Sequence, residues 1–238
     1  MAKRTFLTLV GADTGSRTLI ERAYAQLRDD IIEGRLAPGE KLRVEHLKTH
    51  YRVGAGTLRE AITRLVSDAL VAAEGQRGFR VAPMALEDLE DLTRLRLHIE
   101  IEALRQSIRH GDAAWRARLQ RAYDDLSAFE QPVRTEHRAS WEQLNACFHE
   151  TLTSAYVSPW TVKVLRLLMR HAERYRRYAI DLADSGRNVH AEHREIFELA
   201  MAGMEARAAL ALEAHIRATP DLLLRAIREG RQVLPTSR

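Results

Sequence analysis

Ten histidines are spread along this 238-residue chain, and three of them stand where side chains of separate helices could meet. Asn145 and His149 are four apart in WEQLNACFHETL, so both face one way on a helix. His193 lies in the apolar stripe Val189, His193, Ile196, Phe197, Ala200, and His215 follows Ala208 and Ala211 at similar spacing. The pattern between them breaks near Gly203-Met204, about eleven residues from each. Folded there as a helical hairpin, both histidines lie at one level, roughly 16 Å from the turn at ~1.5 Å per residue. Three imidazoles and an amide oxygen then form a donor set for a borderline divalent ion such as Zn²⁺ or Ni²⁺. The alternative is three ordinary core histidines.

Arg96 is the second signal. It sits on the stripe Leu89, Leu92, Arg96, Ile99, Ala103, and a buried guanidinium needs a partner. Glu100, four residues on, is one candidate. The carboxylate of a small molecule, gripped by the planar fork, is the other. Arg174, Tyr175 and Tyr178, in HAERYRRYAI, are candidates to line a pocket or to form a polar helix face. His98, His171 and His190 have similar surroundings, and we assign them no role.

A metal-dependent hydrolase would need a general base beside an open metal position. The chain has no HExxH, and no Glu or Asp precedes any histidine by three residues. No Ser-His-Asp order and no phosphate loop appear. The expectation is a protein without catalytic residues.

The elements that must position these side chains follow from periodicity. After Pro83 the pattern is helical almost to the end, broken near Gly111-Asp112, Gln131-Pro132, Ser158-Pro159, Ser185-Gly186, Gly203 and Thr219-Pro220. Seven helices fit, giving an antiparallel all-helical bundle of about 155 residues, large enough to bury its own core.

Before Pro83 the pattern differs. Ile20, Ala23, Tyr24, Leu27, Ile31 and Ile32 define one helix, and Val44, Leu47 and Tyr51 a short second. Leu58, Ala61, Ile62, Leu65, Val66 and Ala69 define a third, with Thr57, Arg59, Glu60, Thr63 and Arg64 outward. Its start has two readings: a capping box Thr57-x-x-Glu60, or Gly54 as N-cap with Thr57 in the first turn. Val71–Glu74 and Phe79–Val81 read as a two-stranded hairpin around Gly75-Gln76-Arg77-Gly78. Two helices at a turn followed by a small hairpin is a winged helix-turn-helix, which reads duplex DNA. Arg59, near the start of the third helix, suits a bidentate contact to guanine. Thr57 can donate to a phosphate, and Arg43 and Arg77 suit backbone or minor-groove contact.

Charge agrees with this division. Residues 1–82 carry 14 Lys and Arg against 10 Asp and Glu, while residues 83–238 carry 23 of each. The whole basic excess lies with the DNA-reading pattern. One cysteine, Cys147, excludes an internal disulfide framework and fits a reducing compartment. No apolar stretch approaches the ~20 residues of a membrane helix, and residues 1–16 make a poor signal peptide. The expectation is a cytoplasmic protein with an N-terminal arm at 1–16, a DNA-binding domain at 17–82, a helical domain at 83–230 and a tail at 231–238.

Residues 17–82 resemble the N-terminal winged helix of the GntR family of bacterial transcription regulators. IIEGRLAPGEKL, LREAITRL and DALVAAEGQRGFRV carry the match. The resemblance implies that Arg59 contacts bases and that Thr57, Gln76 and Arg77 contact phosphates or the minor groove. Gly54 and Ala55 stand where many members have Ser-Arg, and Glu45 stands where some have arginine, so operator sequence should not transfer. Residues 83–230 resemble the FCD effector-binding domain through DLTRLRLHIE, NACFHETL and HREIFELAMAGMEARAALALEAHI. That resemblance implies a divalent metal on Asn145, His149, His193 and His215, with Asn145 in place of the commoner aspartate. It also implies Arg96 as the contact to a small organic acid. The resulting expectation is a homodimeric, operator-binding regulator, a repressor, gated by a carboxylate. A DNA-binding architectural protein without an effector is the alternative that keeps the same fold.

Overall fold

The computed structural model describes residues 18–130, 138–180, 182, 187–231 and 233–235, without the side chains of Gln76 and Ile180. The expected arm at 1–16 and the expected breaks at Gln131-Pro132 and Ser185-Gly186 lie outside these residues. Contacts divide the chain into two units. One holds residues through Asp29 with Lys41–Arg80, and the other holds Asp30–Glu40 with Val81 onward.

The first unit contains most of α1 (Leu19–Ile32), then β1 (Lys41–Leu42), α2 (Val44–Tyr51), α3 (Ala55–Ser67), β2 (Val71–Ala73) and β3 (Phe79–Val81). The third strand, β1, was not legible as a strand: two residues carry no alternation. It pairs antiparallel with β3, Lys41 opposite Arg80 and Leu42 opposite Phe79, giving the order β1-β3-β2. The apolar stripe of α3 is buried through Leu58, Ala61, Ile62 and Leu65. Of the two readings of its start, Gly54 is the N-cap and Thr57 stands in the first turn. Arg52 closes α2 in the left-handed conformation, φ 53°.

The second unit holds α4 (Leu86–His110), α5 (Ala113–Ser127), α6 (Arg138–Leu152), α7 (Pro159–Ile180), α8 (Val189–Met201) and α9 (Glu205–Arg228). Asp112 caps α5 by accepting from the Trp115 N–H at 2.7 Å. Pro159 opens α7 where its missing N–H costs nothing. Gly203 ends α8 at φ +72°, with the Met204 N–H on the Leu199 carbonyl and the Gly203 N–H on that of Ala200. This is a Schellman turn, and it folds α9 back along α8.

One expected break is absent. Six helices, not seven, follow Pro83 among the described residues, because α9 runs straight through Thr219-Pro220. A proline inside a helix removes a hydrogen bond and crowds the preceding turn. Here the buried stripe Leu212, Ile216, Pro220, Leu223, Ala226 continues on both sides of it. Burial of that stripe outweighs the local penalty.

The core of this unit includes Leu104, Trp115, Leu119, Phe148, Ile196 and Leu212, each at most 1% exposed. The buried stripe of α4 is centred differently from the expected one. Leu89, Thr93, Arg96, Leu97, Glu100 and Leu104 are buried, while Leu92 and Ile99 are only half-buried. Glu100 thus lies in the core beside Arg96.

Candidate functional site

α6, α8 and α9 bring His149, His193 and His215 together. Their ligand-capable nitrogens all lie within 4.8 Å of one another. Ring centroids are 5.6 Å apart for His149 and His193, 5.2 Å for His149 and His215, and 4.6 Å for His193 and His215. The Schellman turn at Gly203 supplies the pairing of the last two, as the hairpin spacing required. Asn145 is buried one turn before His149 on α6.

Each imidazole is held by its own carboxylate. His149 Nδ1 is 2.9 Å from Glu100 Oε1, His193 Nδ1 is 2.7 Å from Glu130 Oε1, and His215 Nδ1 is 2.7 Å from Glu192 Oε2. An ionised carboxylate only accepts, so each Nδ1 carries the proton, and in a neutral ring so oriented Nε2 holds the lone pair. The carboxylates are anchored in turn. Glu100 Oε2 accepts from Arg96 at 2.8 and 3.2 Å, Glu130 from the Trp141 indole at 3.1 Å, and Glu192 from Arg187 at 2.7 to 3.2 Å. None of these three glutamates was singled out from the sequence. Glu100 was weighed only as a partner for Arg96, and Glu130 and Glu192 lie outside any apolar stripe.

Protonation favours ligation. Burial pushes His149 down, and Glu100 only partly restores it. Burial, then the neighbouring His193 and His149, push His215 well below its ordinary value. Burial pushes the Glu100 carboxyl up, but the Arg96 charge and His149 outweigh it and hold it well below the usual carboxylate range. Burial thus favours the neutral ring at His149 and His215, the form in which an imidazole binds a divalent cation. His193 Nε2 is fully buried and has no hydrogen-bond partner. A buried ring nitrogen without a partner, beside two other imidazoles, fits a metal better than it fits a core histidine.

Arg96 is 7% exposed, and its partner in this structure is Glu100. Arg174 and Tyr175 are engaged elsewhere. Arg174 donates to the Ala82 carbonyl at 2.7 Å, and Tyr175 Oη lies 2.6 Å from Asp88 Oδ2. Both hold the segment leading into α4. Arg176 grips both carboxylate oxygens of Glu142 of α6 through Nε and one terminal nitrogen, at 2.5 to 3.2 Å. An open groove of about 540 Å³ between α4 and α9, lined by Thr93, Leu97, Ile101, Glu213, Arg217 and Leu224, includes none of the three histidines.

In the first unit Arg59 is exposed on the first turns of α3, Arg43 is exposed at the N-cap of α2, and Arg77 is exposed at the hairpin tip. Thr57 is half-buried, and the Gln76 side chain lies outside the described residues. Glu45 pairs with Lys48 at 2.5 Å on α2.

Residues 19–81 match the family described as bacterial regulatory proteins, gntR family, and residues 91–218 match the FCD domain. Over 208 residues the chain is 44% identical to the HTH-type transcriptional regulator BphR of Paraburkholderia xenovorans, covering 85% of this chain and 84% of that one. The chain belongs to the GntR family. This GntR protein is also 29% identical to the HTH-type transcriptional repressor GlaR of Escherichia coli, over 81% of this chain and 90% of that one. A GntR-type regulator from Rhodococcus sp. RHA1 shares its fold, with TM-score 0.70 and 24% identity over 87% of this chain and 98% of that one. Escherichia coli McbR/YncC does so with TM-score 0.73 and 17% identity, over 89% and 100%.

Membership makes the protein a DNA-binding transcription regulator of the GntR type with an FCD domain; its domains and relatives are those of transcription regulators, not of enzymes. Among the described residues no helix is long and apolar enough to cross a membrane.

Proposed function

We propose that the protein is an operator-binding repressor whose grip on DNA is set by a small carboxylate held beside a divalent metal in the helical unit. His149, His193 and His215 would hold the ion, with Asn145 as a further oxygen donor. The carrying observation is the convergence of three imidazoles whose Nδ1 atoms are all tied to carboxylates, one of them with a buried, unpartnered Nε2. Zn²⁺ or Ni²⁺ suits a nitrogen-rich set. The bound ion would supply a Lewis-acidic point for an effector oxygen. Asn145 adds no charge, so the ion keeps its full +2 toward an anion.

Arg96 is the second grip. Its guanidinium has five N–H groups, and those on Nε and one terminal nitrogen serve Glu100, leaving capacity for an effector carboxylate. On the DNA side Arg59 would read a base edge, with Thr57, Arg43, Gln76 and Arg77 on backbone or minor groove. A homodimer would present two such helices to a two-fold operator. The repressor assignment is supported by the likeness to GlaR, whose name carries that role.

The test is metal content after purification without chelator, for the wild type, His149→Ala and His193→Ala. We expect near-stoichiometric metal in the first and loss in the others; equal metal in all three sinks the reading. A thermal-shift screen of organic acids with and without Zn²⁺ then tests the effector class. No shift with any acid would favour an architectural role.

A further inference from the structure

We propose that Glu100 is a shared positioning residue, through which the metal ligand His149 and the arginine Arg96 sense one another. The inference rests on the metal reading above and adds to it a route between the ion and the effector subsite.

Glu100 is 1% exposed, in the middle of α4. Its two oxygens are divided. Oε1 receives His149 Nδ1 at 2.9 Å, and Oε2 receives both Arg96 Nε at 3.2 Å and a terminal Arg96 nitrogen at 2.8 Å. The other two carboxylates also join a cluster histidine to an anchor, but not to Arg96. Glu130 is anchored by the Trp141 indole and approached by His190 at 3.4 Å, and Glu192 by Arg187. Neither anchor was a candidate effector contact. Only Glu100 joins an imidazole of the histidine cluster to the arginine proposed to grip a carboxylate.

The physical consequence is a competition for one charge. Hydrogen bonds from Arg96 draw electron density toward Oε2 and weaken Oε1 as an acceptor. An anion that engages the guanidinium lessens that pull. Glu100 then accepts more strongly from His149 Nδ1–H, and Nε2 becomes the better donor toward an ion. Metal at His149 and an anion at Arg96 therefore favour each other. By linkage the effect is equal in both directions. The shared carboxylate also fixes the His149 tautomer, so its loss would leave that ring free to protonate on either nitrogen.

The experiment uses Zn²⁺ alone as probe, on the full chain. Zinc affinity is measured by competition with a chromophoric chelator for the wild type, Glu100→Gln, Arg96→Gln, the double variant, and His193→Ala. Imidazole ¹⁵N spectra of the zinc-free proteins report the His149 tautomer. We expect Glu100→Gln to weaken zinc binding by roughly 10- to 100-fold. The His149 signal should leave the pure Nδ1–H pattern, which a merely structural role for Glu100 would not cause. Arg96→Gln should change zinc affinity in the wild-type background but much less once Glu100 is Gln. Should Glu100→Gln not fold, Glu100→Asp keeps the charge, shortens the reach and should show a smaller loss. If His193→Ala binds zinc as the wild type does, the metal reading has failed. If His193→Ala loses zinc while Glu100→Gln keeps wild-type affinity and tautomer, Glu100 is overturned alone. Independent effects of the Arg96 and Glu100 variants would overturn the link to Arg96.

Discussion

Glu130 and His193 meet 2.7 Å apart across 63 residues of chain, both fully inside the helical unit. The carboxylate also takes the Trp141 indole N–H. Burial pushes Glu130 up, but the hydrogen bond and charge of His193, then Trp141 and His190, outweigh it, and its net shift is downward. Removing it by Glu130→Ala strands two buried donors. The expected cost is about 1–3 kcal/mol in metal-free protein, read by urea denaturation; a change within error would mean that His193 finds another acceptor.

Tyr175 ties α7 to the start of α4. Its hydroxyl lies 2.6 Å from Asp88 Oδ2 and 3.0 Å from the Ala85 carbonyl, and it accepts from the Ala85 N–H at 3.2 Å. Tyr175→Phe should destabilise by about 1.5–3 kcal/mol, as for a bond to a charged acceptor. Burial, then Asp88, push the phenol well above its ordinary value. The unfolded chain releases this proton near pH ~10 and the folded one holds it, so the stabilisation is complete below pH ~10 and lost as pH rises toward the folded value. Chemical denaturation of both proteins should show a constant gap from about pH 6 to 9, narrowing above ~10. A gap that widened in alkali would contradict the arrangement.

Arg59 and Arg77 make separable predictions. Arg59→Ala should cost about 1–3 kcal/mol on the cognate operator and relax discrimination at one base position. Arg77→Ala should weaken all duplexes alike and lower the salt slope by about 1. Mobility shifts over a salt series with operator and scrambled DNA distinguish them. Equal losses on both DNAs for Arg59→Ala would remove it as a base reader.

Gly203 holds φ +72° in the turn that aligns His193 with His215. No atom crowds the position a Cβ would take, so the penalty of Gly203→Ala is conformational alone. It should be about 1–2 kcal/mol, visible in thermal melts, and Gly203→Asn should cost less.

The histidine cluster was legible because its spacing is local. Asn145 and His149 share one helix face, and a single turn relates His193 to His215. The carboxylates behind the rings were not legible, since Glu100, Glu130 and Glu192 reach their histidines across 49, 63 and 23 residues. Nothing in a periodicity announces such a pairing. Arg96 was seen to need a partner, and the structure supplies the local one, Glu100. The helical pattern failed at Pro220 for the converse reason. A local breaker was read correctly as to its cost, while the buried stripe that outweighs it runs from Leu212 to Ala226. In the first unit the helices were read from their stripes, but β1 exists only through its pairing with β3.

His149, His193 and His215 stand on α6, α8 and α9, and their inward nitrogens belong to segments up to 66 residues apart in sequence. Any species bound to all three is a reversible cross-link in a chain whose single cysteine can form no internal disulfide. It would hold three helices at one point and add RT ln(1 + [L]/Kd) to the stability of the native state. Chelation would then loosen the bundle itself, and a melting temperature that tracks free metal would measure the strength of that staple.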